Sequence, residues 1–186
     1  ILVQTYPITA FSAVKRGAQS LLTNAKSKWG TYTEPASSEP LPTASPEMTC
    51  EAFWSIVDPV IQEQLGNGNI DVSTPKISIL TPTFNSALSW FVETTLSVLK
   101  QSSCDWEWCL VDDGSTTNDI RAVLQTLAHK HPRIKVSLEA SGGISAATNK
   151  ALENATGDYV CFLDHDDTLT PEAIQVSLET LSQGFD

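Results

Sequence analysis

From Lys76 onward this sequence predicts an α/β fold: a doubly wound, mainly parallel sheet with flanking helices. Three observations carry that expectation. Short apolar runs at 77–80, 106–111, 134–138 and 159–163 are separated by longer stretches of helical character. The strand–helix alternation continues to a last helix signal at residues 170–172. Three of the four apolar runs end in carboxylates or glycines, at the edge where open parallel sheets bind their ligands.

Taken in chain order, residues 1–75 read as a helical and irregular segment ahead of a domain at 76–186. Phe11, Val14, Ala18, Leu21 and Leu22 recur at helical spacing and predict a helix over 8–29. The Pro- and Ser-rich stretch at 34–42 reads as a linker. Thr49 is placed to cap a second helix over 50–65, with Glu51 near its positive end. Pro59 is expected to kink or divide that helix, and the Gly-Asn repeat at 66–69 to end it. Then come strand 77–80, helix 88–99 and strand 106–111, in which Trp106, Trp108 and Leu110 alternate with Glu107, Cys109 and Val111. Helix 118–130 places Ile120, Val123, Leu124 and Leu127 on one face. Strand 134–138, helix 144–154 and strand 159–163 follow. Thr170, Pro171 and Glu172 supply cap, first turn and dipole partner for a last helix.

The bulk properties set limits. The 186 residues suffice for one ordinary domain with an appendage, and 41% hydrophobic content can fill a core. A formal net charge of −11 repels a polynucleotide backbone, so nucleic acid is not an expected partner. An anionic ligand would need a bridging cation or backbone N–H groups. No apolar run reaches the roughly 18 residues that suggest a membrane helix, and no stretch reads as a signal peptide. The expected location is cytoplasmic, including the inner face of the cell membrane. Ile1 opens the chain and Met48 is its only methionine, as expected of a piece of a longer protein. Cys50, Cys104, Cys109 and Cys161 read as reduced, buried or half-buried thiols, and no Cys-x-x-Cys pair supports zinc. His129 and His131 read as surface residues, and Trp106 and Trp108 as sheet packing.

The chemistry concentrates after the strands. Asp164, Asp166 and Asp167 crowd three carboxylates into four residues around His165. Their mutual repulsion is relieved by a divalent cation, Mn²⁺ or Mg²⁺, whose open positions hold phosphates; a solvated acidic turn capping the next helix is the alternative. Either a phosphate or metal contact or plain exposure suits His165. Asp112, Asp113, Gly114 and Ser115 supply carboxylates able to accept from a base N–H or a ribose hydroxyl, or else a simple Asp-Gly turn. Gly142 and Gly143 let backbone approach a ligand closely, or form an ordinary loop.

Four motifs in this order resemble family-2 glycosyltransferases. Lys76 to Asn85 resembles their opening strand, which ends in Pro-x-aromatic-Asn. Leu110 to Ser115 resembles their Val-Asp-Asp-Gly-Ser element, and Gly142 to Leu152 their Gly-rich start of a helix. Gly157 to Asp167 resembles the strand ending in their Asp-x-Asp metal motif. The resemblance implies a GT-A fold with a Rossmann-like nucleotide-binding half and a nucleotide-diphosphate sugar donor, UDP-linked by preference. It implies a donor site of Pro82, Thr83, Phe84, Asp112, Asp113, Gly142, Gly143, Asn149, Asp164 and His165. Pro82 and Phe84 would line the nucleotide pocket, and Asp113 would hold the base. Asp164 would lie near the ribose or sugar, and Asp166, with Asp164, would face the metal. The acceptor would be a saccharide, glycolipid or other hydroxyl, in cell-surface polysaccharide synthesis with inversion. The family's general base lies beyond Asp186, so weak transfer and self-association through an uncovered face are expected of this chain alone. Thr148 stands where many relatives carry Arg before the Asn matched by Asn149. A non-catalytic nucleotide- and metal-binding module is the alternative. A phosphorelay receiver is disfavoured because strand one ends in Thr81 and Pro82 rather than acids. A dinucleotide-binding dehydrogenase is disfavoured because no Gly-x-Gly-x-x-Gly follows a strand.

Overall fold

The computed structural model describes residues 5–7, 48–66 and 75–183. The helix expected at 8–29, the linker at 34–42 and the Asn-Gly-Asn stretch at 67–69 lie outside them. Strands β1 (Thr5–Pro7), β2 (Ile77–Thr83), β3 (Trp106–Asp112), β4 (Ile134–Leu138) and β5 (Tyr159–Phe162) form one sheet in the order β1-β5-β2-β3-β4. The four later strands are parallel, as the strand–helix alternation predicts, and β1 lies antiparallel on β5. No strand is expected from the sequence at 5–7. Its pairing occupies backbone groups along β5 that an open edge would leave to solvent.

Among the described residues five helices flank the sheet: α1 (Cys50–Gly66), α2 (Leu88–Leu99), α3 (Asn118–Lys130), α4 (Ile144–Asn154) and α5 (Ala173–Ser182). Alternation along the strands sorts side chains between two faces. Ile77, Ile79, Trp106, Trp108, Leu110 and Cys161 enter the main core with residues of α1, α2, α3 and α5. Leu80, Cys109, Val111 and Val160 pack on the other face against Ala147 and Ala151 of α4. Every residue of β2 and β3 is buried, as expected of strands covered on both faces.

Strand β2 runs past the apolar stretch to include Pro82. The missing N–H is harmless there. The Thr83 carbonyl faces β3 and accepts from the Asp113 N–H, so Pro82 faces β5. Pairing of β2 with β5 has already ended, at Leu80 opposite Phe162. Pro59 does not divide α1, which is continuous through it; the residue is exposed. Thr49 caps α1 as expected, its Oγ1 accepting from the Ala52 N–H at 3.2 Å. Phe53, Val57 and Ile61 place one face of α1 in the main core, so this helix packs on the α/β unit. Phe53 stacks on Phe91 at 6.1 Å and Phe91 on Trp108 at 5.9 Å. Lys130 ties α3 to α1 by pairing with Asp58 at 2.9 Å, and it lies 5.0 Å from the Trp54 ring centre.

Two polar residues sit deeper than the sequence suggests. His131 is fully buried, a correction to its reading as a surface residue, while His129 is exposed. The chain turns inward at the end of α3, and His131 stacks on Trp106 at 5.6 Å. Its Nδ1 accepts the Arg133 N–H at 3.3 Å and its Nε2 lies 2.9 Å from Gln64 Oε1. Gln64 Nε2 in turn donates to the Leu99 carbonyl, so one neutral imidazole joins α1, α2 and β3. Burial, with Arg133 nearby, pushes its pKa down to about 4.

Glu107, in the middle of the sheet, is 3% exposed. Lys135 pairs with it at 2.6 Å, Ser78 Oγ donates at 2.6 Å and Thr156 Oγ1 at 2.9 Å. Burial raises its pKa, but the bonds from Lys135, Ser78 and Thr156 outweigh that and hold it below the ordinary value. Gly157 completes the packing, since a Cβ there would lie 2.9 Å from the Ser78 nitrogen. Of the cysteines, Cys109 and Cys161 are buried, with burial pushing both pKa values up to about 12. Cys104 is exposed, unlike the buried or half-buried thiols expected, because it lies in the connection between α2 and β3.

Two predictions follow from the buried pair of polar sites. The unfolded chain takes up a proton at His131 near pH 6.5, whereas the folded chain does so only near pH 4. Stability should be complete above pH 6.5 and decline by roughly 2–3 kcal/mol between pH 6.5 and 4 from this group. Denaturant unfolding across that range should show a shallower decline in His131→Gln than in the native chain. At neutral pH, Glu107→Gln should cost about 2 kcal/mol, because Lys135 loses its buried partner. The folded carboxylate is favoured, so this difference should shrink as pH falls below the unfolded carboxyl value.

Candidate functional site

The sheet register makes the carboxyl ends of the strands level. Thr83 stands opposite Asp112, and the Asp113 N–H donates to the Thr83 carbonyl at 2.8 Å. Beyond β4 the Glu139 N–H reaches the Asp112 carbonyl at 2.9 Å, and beyond β5 the Leu163 N–H reaches the Leu80 carbonyl at 3.1 Å. The chain passes from β2 to β3 and β4 on one side, then returns to β5 on the other. The ends of β2 and β5 therefore flank a switch in strand order, where open α/β sheets hold ligands.

The adjacent aspartates at the end of β3 have different surroundings. Asp112 follows Leu110 onto the main-core face and is fully buried. Its Oδ2 accepts the Ser115 N–H at 3.1 Å and lies 3.6 Å from Arg121 Nη1. Its Oδ1 is buried without a hydrogen-bond partner among the described residues. Asp113 turns to the face of α4. Its two oxygens accept the N–H groups of Gly142 at 2.6 Å and Gly143 at 2.8 Å. One carboxylate thus holds the loop that opens α4. Gly114 has φ +76°, and a Cβ on it would lie 2.7 Å from the Ser141 nitrogen, so glycine is required for the loops to meet.

Asp113 and Asn149 share a cavity of about 250 Å³ with Glu139, Ala146, Lys150 and Glu153. The last four carry no site role in the sequence reading. Helical spacing places Ala146, Asn149, Lys150 and Glu153 on one side of α4, but only packing shows that this side meets Asp113. Pro82 and Thr83 are buried, with Thr83 Oγ1 donating to the Val111 carbonyl at 3.3 Å. Phe84 is 48% exposed, on the connection from β2 to α2.

The acidic turn lies after β5. Asp164, Asp166 and Asp167 are exposed and His165 is half-buried. The Asp167 N–H donates to the Asp164 carbonyl at 3.1 Å, and Thr94 Oγ1 donates to the His165 carbonyl at 2.8 Å. Further along, Ser97 Oγ accepts the Leu169 N–H, and Gln101 binds both the Thr170 carbonyl and the Ile174 N–H. Helix α2, with Gln101 just past its end, therefore anchors the turn and the start of α5. None of the turn's acids lines the 250 Å³ cavity; the strand order puts β2 between β5 and β3. Among the described residues no group of three or more His, Cys, Asp or Glu side chains forms a metal site by itself. Exposed carboxylates of this kind do suit Mg²⁺ or Mn²⁺ that completes its coordination with water and a ligand's phosphates. His165 Nδ1 is buried without a hydrogen-bond partner among the described residues, a further polar atom at this turn.

Asn85 was legible as the end of a motif but has no ligand role in the sequence reading. It adopts φ +48°, and both its backbone and side chain bond across to the loop after β3.

Comparison with known proteins bears on the family and the fold. The family profile described as "Glycosyl transferase family 2" matches residues 78–186, more than half of the chain. The O-antigen biosynthesis protein of Myxococcus xanthus is 40% identical over 111 residues, 59% of this chain and 9% of its own length. A putative teichuronic acid biosynthesis glycosyltransferase of Bacillus subtilis is 41% identical over 110 residues, 59% of this chain and 43% of its own. The crystal structure of Staphylococcus aureus TarS in complex with UDP superposes with a TM-score of 0.52 at 30% identity, over 58% of this chain and 32% of that one. The chain thus spans less than half the length of these relatives. No described helix is long and apolar enough to cross a membrane. With a family profile over its α/β unit and a GT-A-like sheet beneath it, the chain belongs to glycosyl transferase family 2.

Proposed function

We propose that this chain binds the donor for a transferase that moves a sugar from a UDP-linked sugar to a hydroxyl of a saccharide or glycolipid, with inversion, in cell-surface polysaccharide synthesis. The observation that carries the reading is Asp113, held at the carboxyl edge of the sheet by Gly142 and Gly143 and facing a cavity beside α4. The UDP and UDP-GlcNAc complexes of TarS support the choice of nucleotide. The relatives named for O-antigen and teichuronic acid biosynthesis support the choice of pathway class. In this reading residues 76–186 form the donor domain, and residues 1–75 precede it with α1 docked on its core.

Each residue then has a task its surroundings allow. Each Asp113 oxygen spends one acceptor site on a glycine N–H and retains another for a base N–H. Phe84 offers an exposed aromatic face on which a base can stack. Asp112 is buried, so it shapes the turn under Asp113 through Ser115 and Arg121. Asp166 and Asp164 would hold the divalent cation at the acidic turn, with His165 beside them. When bound, that cation would supply positive charge to the leaving diphosphate. Asn149 lines the same cavity as Asp113 and would contact the nucleotide.

Thermal unfolding with UDP and Mn²⁺, each alone and neither, tests this assignment. Saturation at about 100 times the dissociation constant should raise the midpoint by roughly 5–11 °C. The shift should need both ligands and vanish in Asp166→Asn. A wild-type chain unmoved by any nucleotide with any divalent cation would remove the donor assignment. Phe84→Ala should weaken UDP binding by about tenfold, the lower end of what loss of one base–aromatic stack costs, measured by titration calorimetry.

A further inference from the structure

We infer that Asn85 is a positioning residue of the donor site, locking the loop after β2 to the loop after β3 so that Phe84 and Asp113 keep a fixed separation. The inference rests on the donor reading for its ligand, but its structural part stands on geometry alone.

Among the described residues Asn85 is the one non-glycine residue with positive φ. Asparagine tolerates that left-handed conformation better than most side chains. A glycine would tolerate it at least as well, so backbone shape alone does not explain the residue. The side chain does. Oδ1 of Asn85 accepts the Thr116 N–H at 2.8 Å and the Thr116 hydroxyl at 3.1 Å. The Asn85 N–H donates to Ser115 Oγ at 2.8 Å. Three hydrogen bonds from one residue thus cross between two loops that are 30 residues apart in the chain.

The bonds continue inward. Ser115 is 5% exposed, and its N–H donates to the buried Asp112 carboxylate, which Arg121 faces from α3. Next in sequence to Asp112 is Asp113, which holds Gly142 and Gly143. Asn85 therefore connects the loop carrying Phe84 to the turn carrying Asp113, and through Asp113 to the start of α4. The residue touches no reacting atom in this scheme. It acts by removing freedom between groups that must meet one ligand together.

Amide hydrogen exchange and UDP binding, measured on the same variants, test the inference. In Asn85→Ala, exchange at Thr116 should speed up by about tenfold, the scale expected for loss of a bond worth roughly 1.4 kcal/mol. Asn85→Asp keeps an acceptor oxygen and the left-handed tolerance, so it should restore protection. Asn85→Gly satisfies the backbone but lacks the acceptor, so it should exchange as fast as the alanine variant. UDP affinity with Mn²⁺ should fall by about tenfold in both the alanine and glycine variants, while resonances of the main core stay in place. Unchanged exchange in Asn85→Ala, or wild-type protection in Asn85→Gly, would overturn the clamp. A wild-type chain that fails to bind UDP would instead count against the donor reading, and the exchange data would still decide the clamp.

Discussion

Parallel pairing of β2 with β3, buried along the whole length of both strands, is the constraint on which the rest of the site depends. It sets Thr83 opposite Asp112 and so makes two loops leave the sheet at the same height. A slip of one residue would turn Asp113 toward the main core and Asp112 toward α4. Register is well specified here because large side chains oppose such a slip on both faces. Trp108 is fully buried, and its indole N–H donates to Thr81 Oγ1 at 2.8 Å. A misregistered strand would break that bond and strand an indole in the core.

The acidic residues of this chain are divided among three environments rather than pooled. Glu107 and Asp112 are buried and spend their charge on cations and N–H groups of the framework. Asp113 is nearly buried but lies at the edge, where it gathers two glycine N–H groups. Asp164, Asp166 and Asp167 remain exposed on a turn whose backbone carbonyls are held by Thr94 of α2 and by Gln101 just beyond it. This last group keeps its carboxylates free because its backbone, not its side chains, does the anchoring. Framework charges are thus neutralised internally, while the exposed acids keep their charge in solvent.

Helix α1 shows how residues outside the strand–helix alternation contribute to the edge. It places Phe53, Val57 and Ile61 against α2 and the sheet, and Gln64 against His131. Since α2 also carries Thr94 and Ser97, with Gln101 just past its end, the same helix that receives α1 positions the acidic turn. Packing of the segment before β2 and placement of the exposed acids thus share one element.

Much of the fold was legible because strands buried on both faces leave continuous apolar runs, and helices leave a stripe. Ile77 to Leu80 and the stripe from Ile120 to Leu127 are local patterns, set by residues close together in the chain, whereas α5 begins only at Ala173, with Glu172 at its N-cap position instead of the expected Thr170. The motifs after the strands were legible for the same reason, since a strand's end is a local property. The sequence by itself therefore determined the order of elements from α1 onward, the parallel class and which acids stand at the carboxyl edge. Only the tertiary structure decided which of two adjacent aspartates faces α4, that His131 is buried, that β1 pairs with β5, and that Asn85 bonds across to Thr116. Each of these depends on groups tens of residues apart meeting in space. Burial and hydrogen-bond geometry at such meetings are properties of the packed chain, and no local spacing encodes them.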